Sequence, residues 1–195
     1  MSHPTAHNLV QNVRTMHAET LVPSIPAVRA DTVLRRDDLA LRWTTAACSD
    51  GEGRYELSEF GEWIMSPTPT PGHQRVAFEV GVQLSAQLGR GAATEVPVLT
   101  DRGVRIPDAI WMPPERWAEL KAYSPLTIVP DVCVEVLSPG NTREEIMMKL
   151  GAYLRGGARE AIVVGLGGEI EFFGPEGRRD ASALGLRLDL PRDLF

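Results

Sequence analysis

Glu135 sits inside an apolar run, Asp-Val-Cys-Val-Glu-Val-Leu from 131 to 137. An ionised carboxylate in such surroundings needs a cation, a metal or hydrogen bonds. Ser138-Pro139-Gly140 stops the run, and Asn141 opens a helix with Glu144 three positions on, the signature of a capping box. Lys149 lies further along that helix. A second carboxylate, Asp108, falls on another apolar segment, where Ile106, Asp108 and Ile110 share one face of an extended chain. Two carboxylates on strand faces with a lysine on an adjoining helix suit phosphodiester hydrolysis. A divalent cation there neutralises phosphate charge and acidifies water. Magnesium takes hard oxygen ligands and often only one or two protein carboxylates. A lysine can orient the water or steady developing charge. Two more residues join the candidate list. Glu62 shares a strand face with Ile64, and His73 falls in the first turn of a helix, where the dipole favours neutral imidazole. Each has a plainer reading. Glu135 pairs with an arginine, Lys149 bonds Glu145 one turn back, and Glu62 and His73 stand in water.

The elements that must position these residues follow from periodicity. Val132, Val134 and Val136 alternate with Cys133 and Glu135, which reads as a strand covered on both faces. A helix is expected over Asp31–Trp43. Two short strands, Arg54–Leu57 and Glu62–Met65, follow around a Ser-Glu-Phe-Gly turn. Thr70 and Pro71 open a helix to about Leu88, with Val76, Val80, Leu84 and Leu88 on one stripe. Glu95–Leu99 and Val104–Trp111 read as a hairpin across Thr100–Gly103. Pro107 removes a backbone donor, marking an edge or irregularity. A short helix is expected over Glu115–Ala122, and the helix from Asn141 stops at Gly156-Gly157. Ala161–Val164 and Ile170–Phe173 are further strands. The last twenty or so residues, ending in the period-two leucines from Leu184, suggest an edge strand.

The chain has 195 residues and a net charge of −6, with a pI of about 5.3. That length suits one domain, and the acidity argues against whole-surface binding of nucleic acid while leaving a local groove open. Residues 1–30 read as a flexible N-terminal arm and 31–195 as a single domain. His3, His7 and His17 in the arm match no standard ligand spacing. Two cysteines, Cys48 and Cys133, form no disulfide framework, which fits a reducing cytoplasm. No apolar run reaches the length of a membrane span, and no secretory leader is evident.

Four segments together resemble the Uma-type restriction endonuclease family of the PD-(D/E)XK nuclease superfamily. They are YELSEFGEWIMSPTPTPGH at 55–73, RIPDAIWMPPERW at 105–117, PDVCVEVLSP at 130–139 and KLGAYLRGGARE at 149–160. The resemblance implies an α/β fold of the restriction endonuclease-like kind, with a mixed central sheet flanked by helices. It implies Asp108 and Glu135 as metal-holding carboxylates and Lys149 as the lysine, moved from the strand to the following helix. Leu137 occupies the place where the superfamily motif usually has that lysine. Glu62 and His73 match positions near the family's site. The implied function is a Mg2+-dependent DNA endonuclease, with Mn2+ as substitute metal and a homodimer as the assembly. Two alternatives stay open: a noncatalytic binding module for nucleic acid or protein on a nuclease scaffold, and a metal-dependent hydrolase of another substrate. The chain departs from the family pattern at Glu145, Ala161, Ile162 and Gly165.

Overall fold

The computed structural model describes residues 32–47, 54–66, 68–120 and 124–195. The arm with its three histidines, and Cys48, lie outside the described residues. In chain order the elements are α1 (Arg36–Ala47), β1 (Arg54–Leu57), β2 (Trp63–Ser66), α2 (Pro71–Leu88), β3 (Ala92–Thr94), β4 (Val98–Thr100) and β5 (Gly103–Arg105). Then come β6 (Ala109–Trp111), α3 (Pro114–Glu119), β7 (Val132–Val136), α4 (Arg143–Arg155), β8 (Glu160–Val164), β9 (Ile170–Gly174) and β10 (Gly177–Arg179).

Six strands form a mixed sheet in the order β10-β9-β8-β7-β6-β3. Only the β7–β8 pair is parallel, joined through α4 as a crossover of that kind requires. The alternation in β7 sorts its two faces. Val132, Val134 and Val136 pack with Val76, Val80 and Leu84 of α2. Cys133 turns the other way, among Ile146, Leu150 and Tyr153 of α4. Glu135 lies on this second face, which aims it at α4. The chain thus forms a three-layer α/β domain core with the restriction endonuclease-like architecture. Among the described residues no helix is long and apolar enough to cross a membrane.

The expected hairpin is real at its tip but serves two sheets. β4 and β5 pair across Asp101-Arg102 in a second, antiparallel sheet ordered β2-β1-β5-β4, covered by Leu39 and Trp43 of α1. The outer halves, β3 and β6, pair in the six-stranded sheet. The changeover falls at Glu95–Pro97 and Ile106–Asp108, where two prolines cannot donate to a ladder and Glu95 takes a positive φ of 54°. Ile106 and Ile110 therefore enter different cores rather than sharing a face with Asp108. Gly103 makes the inner turn possible. Its φ is +96°, and a Cβ there would lie 1.9 Å from the Leu57 carbonyl oxygen.

Two helix starts differ from expectation. α1 begins at Arg36, with Asp37 and Asp38 in its first turn, where the positive helix end favours them. α4 is capped by Thr142 rather than Asn141. Thr142 Oγ1 accepts from the Glu145 amide at 3.2 Å, and a Glu145 carboxylate oxygen accepts from the Thr142 amide at 3.0 Å. Asn141 instead takes the Ser138 amide at 2.8 Å. Glu145 thus departs from the family pattern in a capping role. Thr142→Ala should lower stability by about 1 kcal/mol, read as a shifted midpoint at unchanged slope in urea unfolding.

The last twenty residues do add an edge strand, β10, paired with β9 at the margin of the six-stranded sheet, but the leucines that alternate from Leu184 are not part of it. Residues 184–190 run extended along α2 instead. Gln87 exchanges two hydrogen bonds with the backbone of Arg187, both at 2.9 Å. Gln83 does the same with Asp189, at 2.6 and 2.8 Å. The spacings agree: four helical residues rise about 6 Å and two extended residues about 6.6 Å. Side-chain amides thus supply the bonds that a neighbouring strand would supply, and Leu186 is buried beneath.

Candidate active site

Glu135 of β7, Lys149 of α4 and Asp108 from the break before β6 line one groove of about 520 Å³. Glu135 points from β7 toward α4 and is 3 % exposed. Lys149 and Tyr153 lie one turn apart on α4, so both reach it. Tyr153 donates its hydroxyl hydrogen to Oε1 of Glu135 at 2.6 Å. Lys149 Nζ donates to Oε2 at 3.2 Å. The second partner of Lys149 is Glu56 of β1, with Oε1 at 2.8 Å. Glu145, the i−4 neighbour, serves the cap instead. Asp108 stands in the break before β6, and its Oδ2 accepts from the Val136 amide at 2.7 Å. His73 reaches over from the first turn of α2. Its Nε2 donates to the Val136 carbonyl at 3.0 Å and lies 3.4 Å from Asp108 Oδ2.

Glu62 is not part of this arrangement. Its side chain is exposed, and its backbone serves the β1–β2 turn, donating to Ser58 Oγ at 3.0 Å and accepting from the Ser58 amide at 2.8 Å. The carboxylate that this hairpin delivers is Glu56, 3 % exposed. Besides Lys149 it holds Arg105 Nη1 at 3.1 Å and accepts from the Ile106 amide at 3.1 Å. The signal for Glu56 lay in the segment Tyr-Glu-Leu at 55–57, a carboxylate within an apolar strand, the same criterion that singled out Glu135. The β2 strand, by contrast, is an edge with Trp63, Ile64 and Met65 all exposed.

Charge accounts for the electrostatics. Two cations, Lys149 and Arg105, face three carboxylates, Glu56, Glu135 and Asp108. Burial is the largest influence on Glu56, yet Lys149 and Arg105 beside it hold its carboxyl below the usual range. Glu135 carries the imbalance. Burial, with Asp108 and Glu56 nearby, raises it to about 7 despite Lys149. Burial alone would lower Lys149, but Glu135 and Glu56 keep its ammonium firmly protonated. Burial and the adjacent Glu135 push the Tyr153 hydroxyl well up, so it remains a donor.

This donor set fits a hard divalent cation. Asp108 and Glu135 offer carboxylate oxygens at the groove, and their mutual repulsion is what such a cation would relieve. Among the described residues no three His, Cys, Asp or Glu side chains converge as a metal-holding group. Two protein carboxylates with water completing the shell is a magnesium pattern rather than a zinc one.

A family model described as "Putative restriction endonuclease", Uma2, matches residues 38–188. The chain belongs to the Uma2 family. Its fold is similar to a crystal structure of a protein from Anabaena variabilis, described as a putative nuclease belonging to DUF820. The TM-score is 0.59 at 18 % identity, over 83 % of this chain and 97 % of that one. No curated protein matches. Three places where this Uma2 chain departs from the family pattern lie in structural positions. Ala161 and Ile162 are fully buried on opposite faces of β8, and the Gly165 amide donates to the Glu169 carbonyl at 2.7 Å in a turn.

Proposed function

We propose that this Uma2 protein is a magnesium-dependent endonuclease that hydrolyses phosphodiester bonds in DNA. The observation that carries the reading is the convergence of Asp108, Glu135 and Lys149 on one groove, in a chain of this family. Asp108 and Glu135 would hold Mg2+, or Mn2+ in its place. When bound, the metal would neutralise phosphate charge and lower the pKa of a water. The chain's own residues do the rest. Tyr153 fixes one oxygen of Glu135, leaving the other toward the groove and Lys149. The Lys149 ammonium, steadied by Glu56 and Glu135, orients the attacking water or the phosphate oxygens as a point charge. His73 buttresses the Asp108 corner through the Val136 carbonyl. Cleavage of both strands would use two copies, which supports a homodimer. The free buried Cys133 suits a reducing cytoplasm.

The test is nicking of supercoiled plasmid and of single-stranded DNA with magnesium or manganese. The parent is run beside Asp108→Ala and Lys149→Ala, purified identically. Cleavage by the parent and its loss, by about a thousandfold, in both variants is the expected result. Equal cleavage in all three samples would identify a contaminant and sink the residue assignment. A silent parent that still binds magnesium would point to another substrate. One that binds no metal would point to a noncatalytic module.

A further inference from the structure

The groove has a wall that phosphate chemistry leaves unexplained. Its lining also includes Leu166, from the turn between β8 and β9, with Leu194 and Phe195. Leu166 is 55 % exposed and Phe195 45 %, although both belong to the lining of a cavity. Exposed apolar side chains facing a concave polar site are more informative than the same residues scattered on a surface.

Their placement is built by several contacts. Gln83 and Gln87 hold residues 187–189 against α2. The turn Arg192–Leu194 then crosses the start of α2, where Asp193 approaches Arg75 at 3.9 Å and the Leu194 carbonyl lies over Gly72. That carries the Phe195 ring onto Gly168, where a Cβ would come within 3.0 Å of the ring edge. The missing side chain at Gly168 lets the ring lie close against the turn that carries Leu166.

The rest of the lining says what chemistry fits. Besides Lys149, the described lining residues include no lysine or arginine. Lys149 also bonds Glu56 and Glu135, so it is a single, shared cation for the phosphate. Proteins that grip a duplex do so mainly with lysine and arginine on its phosphates. This groove has instead an apolar wall with an aromatic ring and a size suited to a nucleotide or so. Proteins that bind single strands add to their basic contacts aromatic rings on which bases stack, and the ring is the part this groove supplies.

We propose that Phe195 and Leu166 form a nucleobase platform. It takes the base next to the scissile phosphate in single-stranded or locally unpaired nucleic acid, and it makes that form the preferred substrate. This rests on the nuclease reading and specifies its substrate class. Phe195 is a specificity-determining residue here, and the backbone phosphate lies toward Asp108, Glu135 and Lys149.

The test is fluorescence anisotropy with a labelled single-stranded oligonucleotide, the duplex of the same sequence, and the same strand with a run of abasic sites. Calcium, another oxygen-seeking divalent cation, replaces magnesium, and strand integrity is checked on a gel. The parent should bind the single strand at least about tenfold tighter than the duplex. Phe195→Ala should weaken single-strand binding on the order of tenfold, in the range set by loss of one stacked base. Phe195→Trp should retain it, and Leu166→Ser should weaken it in the same direction. On the abasic strand the parent and Phe195→Ala should bind alike. Unchanged binding by Phe195→Ala, with the parent binding normally, would overturn the platform and leave the nuclease reading standing. So would an abasic strand bound as tightly as the intact one. A parent that binds neither strand nor duplex would remove both readings. Circular dichroism melts of the variants guard against misfolding.

Discussion

Replacing Glu135 with glutamine should make the folded chain more stable at neutral and alkaline pH while abolishing cleavage. The sign follows from the buried carboxyl. Its folded value, about 7, lies above its ordinary value of 4.5 because of burial and the carboxylates of Asp108 and Glu56. Between those two values the folded state holds a proton that the unfolded chain releases. Parent stability therefore falls as pH rises through that window. Above it the ionised Glu135 costs about 3 kcal/mol. Glutamine carries no charge to bury and still accepts the Tyr153 hydroxyl. Urea unfolding should show a gain of up to about 3 kcal/mol for Glu135→Gln near pH 8, and little difference near pH 4.5. On the proposed reading, in which Glu135 holds the metal, plasmid cleavage with magnesium should fall about a thousandfold. A variant less stable than the parent at every pH would show that Glu135 is a structural ion-pair partner instead. Residues placed for function at the expense of stability behave in the first way.

Lys149→Met should act in the opposite direction on the fold. The ammonium is bonded to Glu56 at 2.8 Å and Glu135 at 3.2 Å, and both carboxylates are 3 % exposed. Methionine fills most of the volume but leaves three carboxylates facing Arg105 alone. Removing one partner of a buried ionic group costs about 3–5 kcal/mol, the loss expected near pH 8. Lys149 is held protonated more firmly in the folded state, so its contribution is complete at all pH values below its unfolded pKa. The pH dependence of the variant comes from the abandoned acids. Without the ammonium Glu135 takes up its proton at higher pH than in the parent, and the deficit should shrink toward pH 5. Urea midpoints at several pH values measure this. A loss under about 1 kcal/mol at pH 8 would mean that Lys149 is in effect solvated, as for a surface pair.

Much of the candidate arrangement is legible in the chain because apolar alternation is a local property. Glu135 and Asp108 stand out as charges inside apolar segments, and the helix carrying Lys149 announces itself through a capping signature, displaced by one residue, and its glycine stop. Glu56 meets the same criterion, whereas the family pattern favours Glu62. The choice between them depends on which face of a two-strand ribbon turns inward. That is decided by pairing with β5, where Leu57 stands opposite Val104 and brings Arg105 to Glu56. No feature of the Arg54–Ser66 segment alone contains that information.

The end of the chain shows the same limit. Alternating leucines mark an extended segment, since a period of two is a property of the residues themselves. Which element covers it was open. Gln83 and Gln87 on α2 offer donors and acceptors at matching spacing, and the segment lies along that helix. The hairpin at 92–111 split for a related reason: its prolines were visible, but not that the strands beyond them join a different sheet. Local patterning, caps, breaks and the types of the reactive residues reside in the order of amino acids. Tertiary structure alone decides which carboxylate meets the lysine and which ring meets the groove. Those meetings depend on long-range pairing, and no residue's own periodicity encodes its partner.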